Sequence, residues 1–254
     1  MSIPLTDIDI PFIDTEQMIE VDRAMINDYQ ISLIQMMENA GRTLAILTRE
    51  RFLQGNARAR SIIVMAGTGG NGGGALVAAR RLHNWGAHVC VYLANPAAKM
   101  TPVPLQQLDI LKRMGIPCTV GPAEPAPDAP PTVIIDGLIG YSLRGNPYGT
   151  TKELIKWANS QTTPILALDT PSGIDTTTGT IFDPVVSATA TMTLALPKQG
   201  LRQPEAAKYV GELYLADISV PPSLYQSPPL NLDVGPVFAN SELVRLKGFN
   251  HEAS

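Results

Sequence analysis

Apolar positions recur at helical spacing early in the chain and in short unbroken runs further on. Met18, Ile19, Ala24, Met25 and Ile26 mark a first helix ending near Asp28. Ser32 stands where a cap belongs, ahead of Leu33, Met36, Met37, Ala40, Leu44, Ala45 and Leu47, so a second helix is predicted to about Leu53. From Ser61 the rhythm changes. Apolar runs at Ile62–Ala66, Val89–Ala94, Pro117–Val120, Val133–Asp136, Ile165–Asp169, Ala190–Leu196 and Leu213–Ile218 read as strands buried on both faces. Helical stretches at Gly72–Trp85, Pro104–Met114 and Thr150–Ser160 separate several of them. Strands joined by helical crossovers imply an α/β fold: a Rossmann-like, doubly wound, mostly parallel sheet preceded by two N-terminal helices.

Five prolines between Pro122 and Pro131 are compatible with a linker, but the same strand rhythm continues on both sides. The stretch reads as a surface loop, and residues 1–254 as a single domain with a loose arm over residues 1–12 and a peripheral tail over 222–254 that wraps the surface or frays. The formal charge of −4 argues against a nucleic-acid partner, whose footprint is a basic face. The N-terminal stretch lacks the basic start and apolar run of a signal peptide, and no stretch reaches the ~18 apolar residues of a membrane span. A cytoplasmic protein without a membrane partner is expected.

Cys90 and Cys118 fall in predicted strands and read as inert thiols rather than a disulfide or zinc framework. His83, His88 and His251 are scattered and read as solvated or helix-end residues. Lys112 and Arg113 read as an exposed helix face, and Met18, Met25, Met36 and Met37 as packing or dimer contacts. Lys198, in a Pro-Lys-Gln-Gly turn, is equally suited to a structural role and to a ligand contact.

The chemistry concentrates at strand ends. Residues 67–74 carry six glycines in eight positions, directly after a strand and at the start of a helix. Glycine lets a ligand approach the backbone, and free amides at a helix start hold anions. Gly67, Gly69 and Gly72 also match the GxGxxG spacing of dinucleotide folds. Such folds place an acid about 20 residues on to hold the ribose; here the next strand ends Leu93-Ala94-Asn95, which disfavours an ordinary NAD-dependent dehydrogenase. Asp136 and Asp169 each close a parallel strand, where ligands of open α/β sheets bind. Each acid alone suits a cap equally well; the set with the glycine loop points to one crevice.

Five motifs stand in a recognisable order: Met37-Glu38-Asn39-Ala40-Gly41, the glycine loop around Asn71, Asp136-Gly-Leu-Ile-Gly140, Asp169-Thr-Pro-Ser-Gly-Ile-Asp175 and Leu196-Pro-Lys-Gln-Gly-Leu201. In these the chain resembles the NAD(P)H-hydrate epimerase family, the YjeF N-terminal domain, from about Ile13 to Pro222. That family interconverts the R and S hydrates of NADH and NADPH (NADHX and NADPHX) at the nicotinamide C6, a metabolite-repair isomerisation. The resemblance implies a potassium ion held by Asn71, Asp136 and Ser172. It implies substrate contacts from Gly70, Asn71, Gly72, Gly73 and Gly74, and from Gly140, Tyr141, Ser142, Leu143, Arg144, Gly145 and Asn146. Asp169 contacts the substrate in this reading and is the first choice for the acid–base group. A homodimer through the N-terminal helices is expected.

The loop departs from the family's GNNGGDG: Gly70 replaces an Asn and Gly74 an Asp, removing a polar contact and a negative charge. A catalytically weakened nucleotide-binding or scaffold member of the same fold is therefore the alternative. A related domain in an RNA-decapping scaffold shows that this fold also serves assembly.

Overall fold

The computed structural model describes residues 3–6, 8–123 and 130–249; His251, Pro125 and Pro127 lie outside them. The strands are β1 (Leu5–Thr6), β2 (Ser61–Ala66), β3 (His88–Leu93), β4 (Cys118–Val120), β5 (Val133–Gly137), β6 (Ile165–Leu168), β7 (Ala190–Leu194), β8 (Glu212–Ala216) and β9 (Leu243–Leu246). The helices are α1 (Thr15–Asn27), α2 (Leu33–Leu47), α3 (Gly70–Asn84), α4 (Pro102–Arg113), α5 (Gly149–Ser160), α6 (Pro204–Val210) and α7 (Pro222–Gln226).

Local chemistry sets the first two helices. Asp14 caps α1 in a reciprocal capping box with Gln17, and Ser32 does the same for α2 with Gln35. The expected mostly parallel sheet is present, in the order β1-β9-β8-β7-β6-β5-β2-β3-β4, with β8 and β9 the antiparallel pair. Val64, Ile135 and Leu166 have no exposed surface, as expected of strands covered on both faces.

Both chain ends depart from the sequence reading. Leu5 and Thr6 of the arm pair with Arg245 and Leu246, and β9 adds itself to β8. Leu224, Tyr225, Leu230 and Val237 of the tail join Met18, Met25 and Leu213 in one apolar cluster. The tail's scattered apolar residues lack any helical or strand period, so only docking shows that they belong to the core.

The topology positions the site. The chain runs from β2 outward through β3 and β4, then returns to place β5 on the other side of β2. That reversal opens a crevice at the carboxyl ends of β2 and β5. Because β6 and β7 follow β5 in the sheet, the segments after Ala66, Gly137, Leu168 and Leu194 lie side by side.

Candidate functional site

A cleft of about 1030 Å³ lies over these strand ends, at the upper end of the range for small-molecule sites. One wall is the first turn of α3, where Gly69 takes the N-cap position. The glycine loop is tight because the backbone needs it to be. A Cβ on Gly67 would lie 1.9 Å from the Leu138 carbonyl oxygen, and one on Gly72 would lie 2.1 Å from the Gly67 carbonyl oxygen. Gly69 and Gly70, by contrast, have open space in front of them, on the cleft side.

The segment after β5 continues the lining beside the glycine loop. Gly140, Tyr141, Ser142, Leu143, Arg144, Gly145 and Asn146 all line the cleft, as do Gly70, Asn71, Gly74 and Asp169. Gly72 and Gly73 do not. They are buried, Gly72 against the loop's own backbone and Gly73 against Met37 and Pro104. Their amides belong to a helix start, but their Cα faces serve packing. Met18, Met36 and Met37 are both core residues and cleft lining, a dual role that helical spacing alone does not separate.

Beneath this floor sits Asp136, with no exposed surface. Its Oδ1 accepts from the Leu138 amide at 3.1 Å and from Ser172 Oγ at 2.8 Å, and its Oδ2 from the Ser172 amide at 2.8 Å. Burial pushes the carboxyl up to about 6 despite these bonds. Asp136 and Ser172 are therefore direct partners, and Ser172 Oγ also accepts from the Ile139 amide at 2.9 Å. Asn71, at the cleft surface, donates Nδ2 to the Leu168 carbonyl at 3.1 Å. Gly140 ties the two layers together, its Cβ direction facing Asn71 and Asp169 Oδ2 at 3.4 Å. A buried carboxylate, an amide and a hydroxyl are oxygen donors that suit a hard cation in kind, and no Lys, Arg or His is bonded to Asp136 among the described residues. The buried Thr170 hydroxyl, two residues before Ser172, has no hydrogen-bond partner.

Asp169 follows β6 and has φ of +66°, in the left-handed region that few non-glycine residues enter. Its amide donates to the Met192 carbonyl at 2.7 Å, which holds the turn and aims the carboxylate into the cleft. Backbone strain of this kind is retained where the surroundings over-determine it. The surroundings here include Lys198, which has no exposed surface and bonds Asp169 Oδ1 through Nζ. Lys198 also donates to the Leu194 carbonyl at 2.8 Å. Lys198 thus resolves as the counter-ion of Asp169, which its turn in the sequence left open.

The sequence reading missed Asp22. It lies on α1 between Met18 and Ile26, and all three line the cleft at a spacing of four residues. Tyr141 Oη donates to Asp22 Oδ2 at 2.5 Å. A carboxylate inside an otherwise apolar helical stripe was the available signal. The bland residues behave as expected: Cys90 and Cys118 are unpaired and half-buried, His83 ends α3, and Lys112 and Arg113 are exposed. No described helix is long and apolar enough to cross a membrane.

The family model described as YjeF-related protein N-terminus matches residues 33–200. A protein of Dehalogenimonas lykanthroporepellens named NAD(P)H-hydrate epimerase is 40% identical, over 89% of this chain and 89% of its own length. One of the same name from Weissella koreensis is 33% identical, over 85% of this chain and 96% of its own. A bifunctional NAD(P)H-hydrate repair enzyme of Salinibacter ruber is 32% identical over 84% of this chain, which spans 41% of that longer protein. The crystal structure of the yeast protein ynu0 superposes with a TM-score of 0.75 at 20% identity, covering 93% of this chain and 100% of that one, and so shows the shared fold.

Proposed function

The chain belongs to the YjeF N-terminal family, and from that premise we propose that it epimerises the R and S hydrates of NADH and NADPH at the nicotinamide C6. The observation that carries the reading is Asp169: a strained, ion-paired carboxylate facing a dinucleotide-sized cleft, across from the glycine-rich start of α3. The free amides of that helix start suit a phosphate, and the segment from Gly140 to Asn146 continues the lining beside it. Gly70, Asn71 and Gly74 contact the substrate in this reading; Gly72 and Gly73 support the loop from behind.

The hydrate carries its hydroxyl on the carbon beside the ring nitrogen. Breaking the C6–O bond while the nitrogen lone pair forms a C6=N1 bond gives an iminium ion, and water returns to either face. Asp169 is the acid–base group of this exchange. Lys198 is its buried partner, so Asp169 does not stand uncompensated in the cleft wall. Asn71, Asp136 and Ser172 are the residues that would hold a potassium ion. Bound there, the ion would supply a positive charge to the site. The single sheet, which takes strands from near both ends of the described residues, supports reading the chain as one domain; a homodimer through the N-terminal helices is part of the same proposal.

The alternative of a catalytically weakened nucleotide-binding or scaffold member is not favoured by the relatives, which are named as epimerases and repair enzymes. The deciding experiment separates R and S hydrates chromatographically over time. Exchange above the uncatalysed rate is expected. No acceleration, in potassium and with folded protein, overturns the proposal.

A further inference from the structure

Two carboxylates face the cleft, and they are treated differently. Asp169 is ion-paired to a buried lysine. Among the described residues Asp22 has no ion-pair partner, and its one hydrogen bond comes from Tyr141 Oη to Oδ2. Elsewhere on this helix Glu20 and the C-cap Asp28 share Arg23 at 2.7 and 2.8 Å, and Glu16 is exposed. The stripe Met18–Asp22–Ile26 therefore delivers one unpaired carboxyl to an apolar wall of the cleft.

We propose that Asp22 is a second catalytic residue of the site, the proton donor to the departing C6 hydroxyl, held in orientation by Tyr141. This rests on the epimerase reading above. In the step, the C6–O bond breaks and its electron pair leaves with the oxygen, which takes the Asp22 carboxyl proton and departs as water. The ring nitrogen lone pair forms C6=N1. Water then adds to the other face of C6, the π pair returns to nitrogen, and the Asp169 carboxylate takes the proton of the adding water. The open cleft lets solvent carry that proton back to Asp22, so no other reactant is consumed. The arrangement separates the two roles, as pairs of carboxylates in unlike surroundings do.

The groups that face Asp22 agree with its role. Burial is the largest influence and pushes its carboxyl up. The Tyr141 bond and the more distant Lys198 act downward, and Asp169 acts upward. From α7, the buried Tyr225 also feels the Asp22 charge. Protonated Asp22 is the active form, so kcat/KM falls as pH rises through its titration, which burial moves upward.

Asp22→Asn keeps the size of the side chain and an acceptor for Tyr141, so the loop anchor survives the substitution. The expected result is a fall in kcat/KM of about 10²- to 10⁴-fold, with melting temperature and Kd for NADP unchanged and the alkaline limb of the pH profile lost. Tyr141→Phe should move that limb to higher pH, because the lost bond acts downward on Asp22. Asp22→Asn with wild-type activity and profile overturns the proposal. So does a loss confined to NADP affinity, or an unmoved limb in Tyr141→Phe, either of which makes Asp22 an anchor. A wild type that accelerates no exchange fails earlier, on the epimerase reading, and is distinguished by that control.

Discussion

Lys198, carried by the turn after β7, closes a buried ion pair with Asp169 at the end of β6, and the two side chains are 0% and 5% exposed. The pair changes what substitution at Asp169 does. An isosteric amide removes the charge that Lys198 needs, and an uncompensated buried ammonium costs about 3–5 kcal/mol.

Asp169→Asn should therefore lower stability by about that amount as well as slow epimerisation by roughly 10²- to 10⁴-fold. Adding Lys198→Met removes the stranded charge, so the double variant should regain most of the stability and remain inactive. Denaturant titration beside the hydrate assay separates the two effects. Wild-type turnover in the folded double variant would remove Asp169 from the chemistry.

Gly72 and Gly70 should respond in opposite ways to alanine. At Gly72 the new methyl meets the Gly67 carbonyl at 2.1 Å, so roughly 1–3 kcal/mol of stability should be lost together with the nucleotide site. At Gly70 nothing lies within 4 Å, and the fold should be unchanged. Thermal melting of each variant, with and without NADP, tests the contrast.

Restoring the family loop tests the departure at Gly70 and Gly74 directly. Gly74 lies inside α3 without a positive φ, and a Cβ there would stand 3.1 Å from Leu168 Cδ2, a small adjustment for a leucine end. An acid in the first turns of a helix also suits its dipole. Gly74→Asp, alone or with Gly70→Asn, should leave the melting temperature intact and raise the rate of R–S exchange. A slower variant that still folds would show that this chain's cleft is adapted to the glycines.

Nucleotide binding itself should appear as stabilisation, by about 2.7 kcal/mol at a hundredfold excess of NADP over its dissociation constant. A melting curve unmoved by any adenine dinucleotide, with potassium present, would count against the cleft as a dinucleotide site.

Potassium should raise the melting temperature of the wild type relative to an equal concentration of choline chloride. Asp136→Asn should erase that difference whatever it does to absolute stability. An equal potassium effect in both proteins would place the ion elsewhere.

Much of this protein was legible in one dimension. The central strands read as unbroken apolar runs, because burial on both faces leaves no polar alternation to obscure them. The glycine loop, Asp136 and Asp169 were visible for a related reason: at the carboxyl end of a parallel strand, a polar residue interrupts an apolar run and stands out. The chain ends were not legible. Leu5–Thr6 and Leu243–Leu246 are too short to show a period; the edge of β8 offers unpaired backbone groups to β9, and β9 in turn offers its own to β1.

The site divides along the same line. In the sequence the glycine loop, Asp136 and Asp169 stood out as candidates because each interrupts an apolar run at a strand end, and the family resemblance added Ser172. Tertiary structure decided their partners. Lys198 lies 29 residues from Asp169 and Tyr141 lies 119 from Asp22, separations that no local pattern spans. Both contacts arise where sheet order sets distant strand ends beside one another and α1 lays one face over them. A helix at this spacing presents Asp22 to whatever covers its stripe, and only the packed sheet makes that neighbour a cleft rather than solvent.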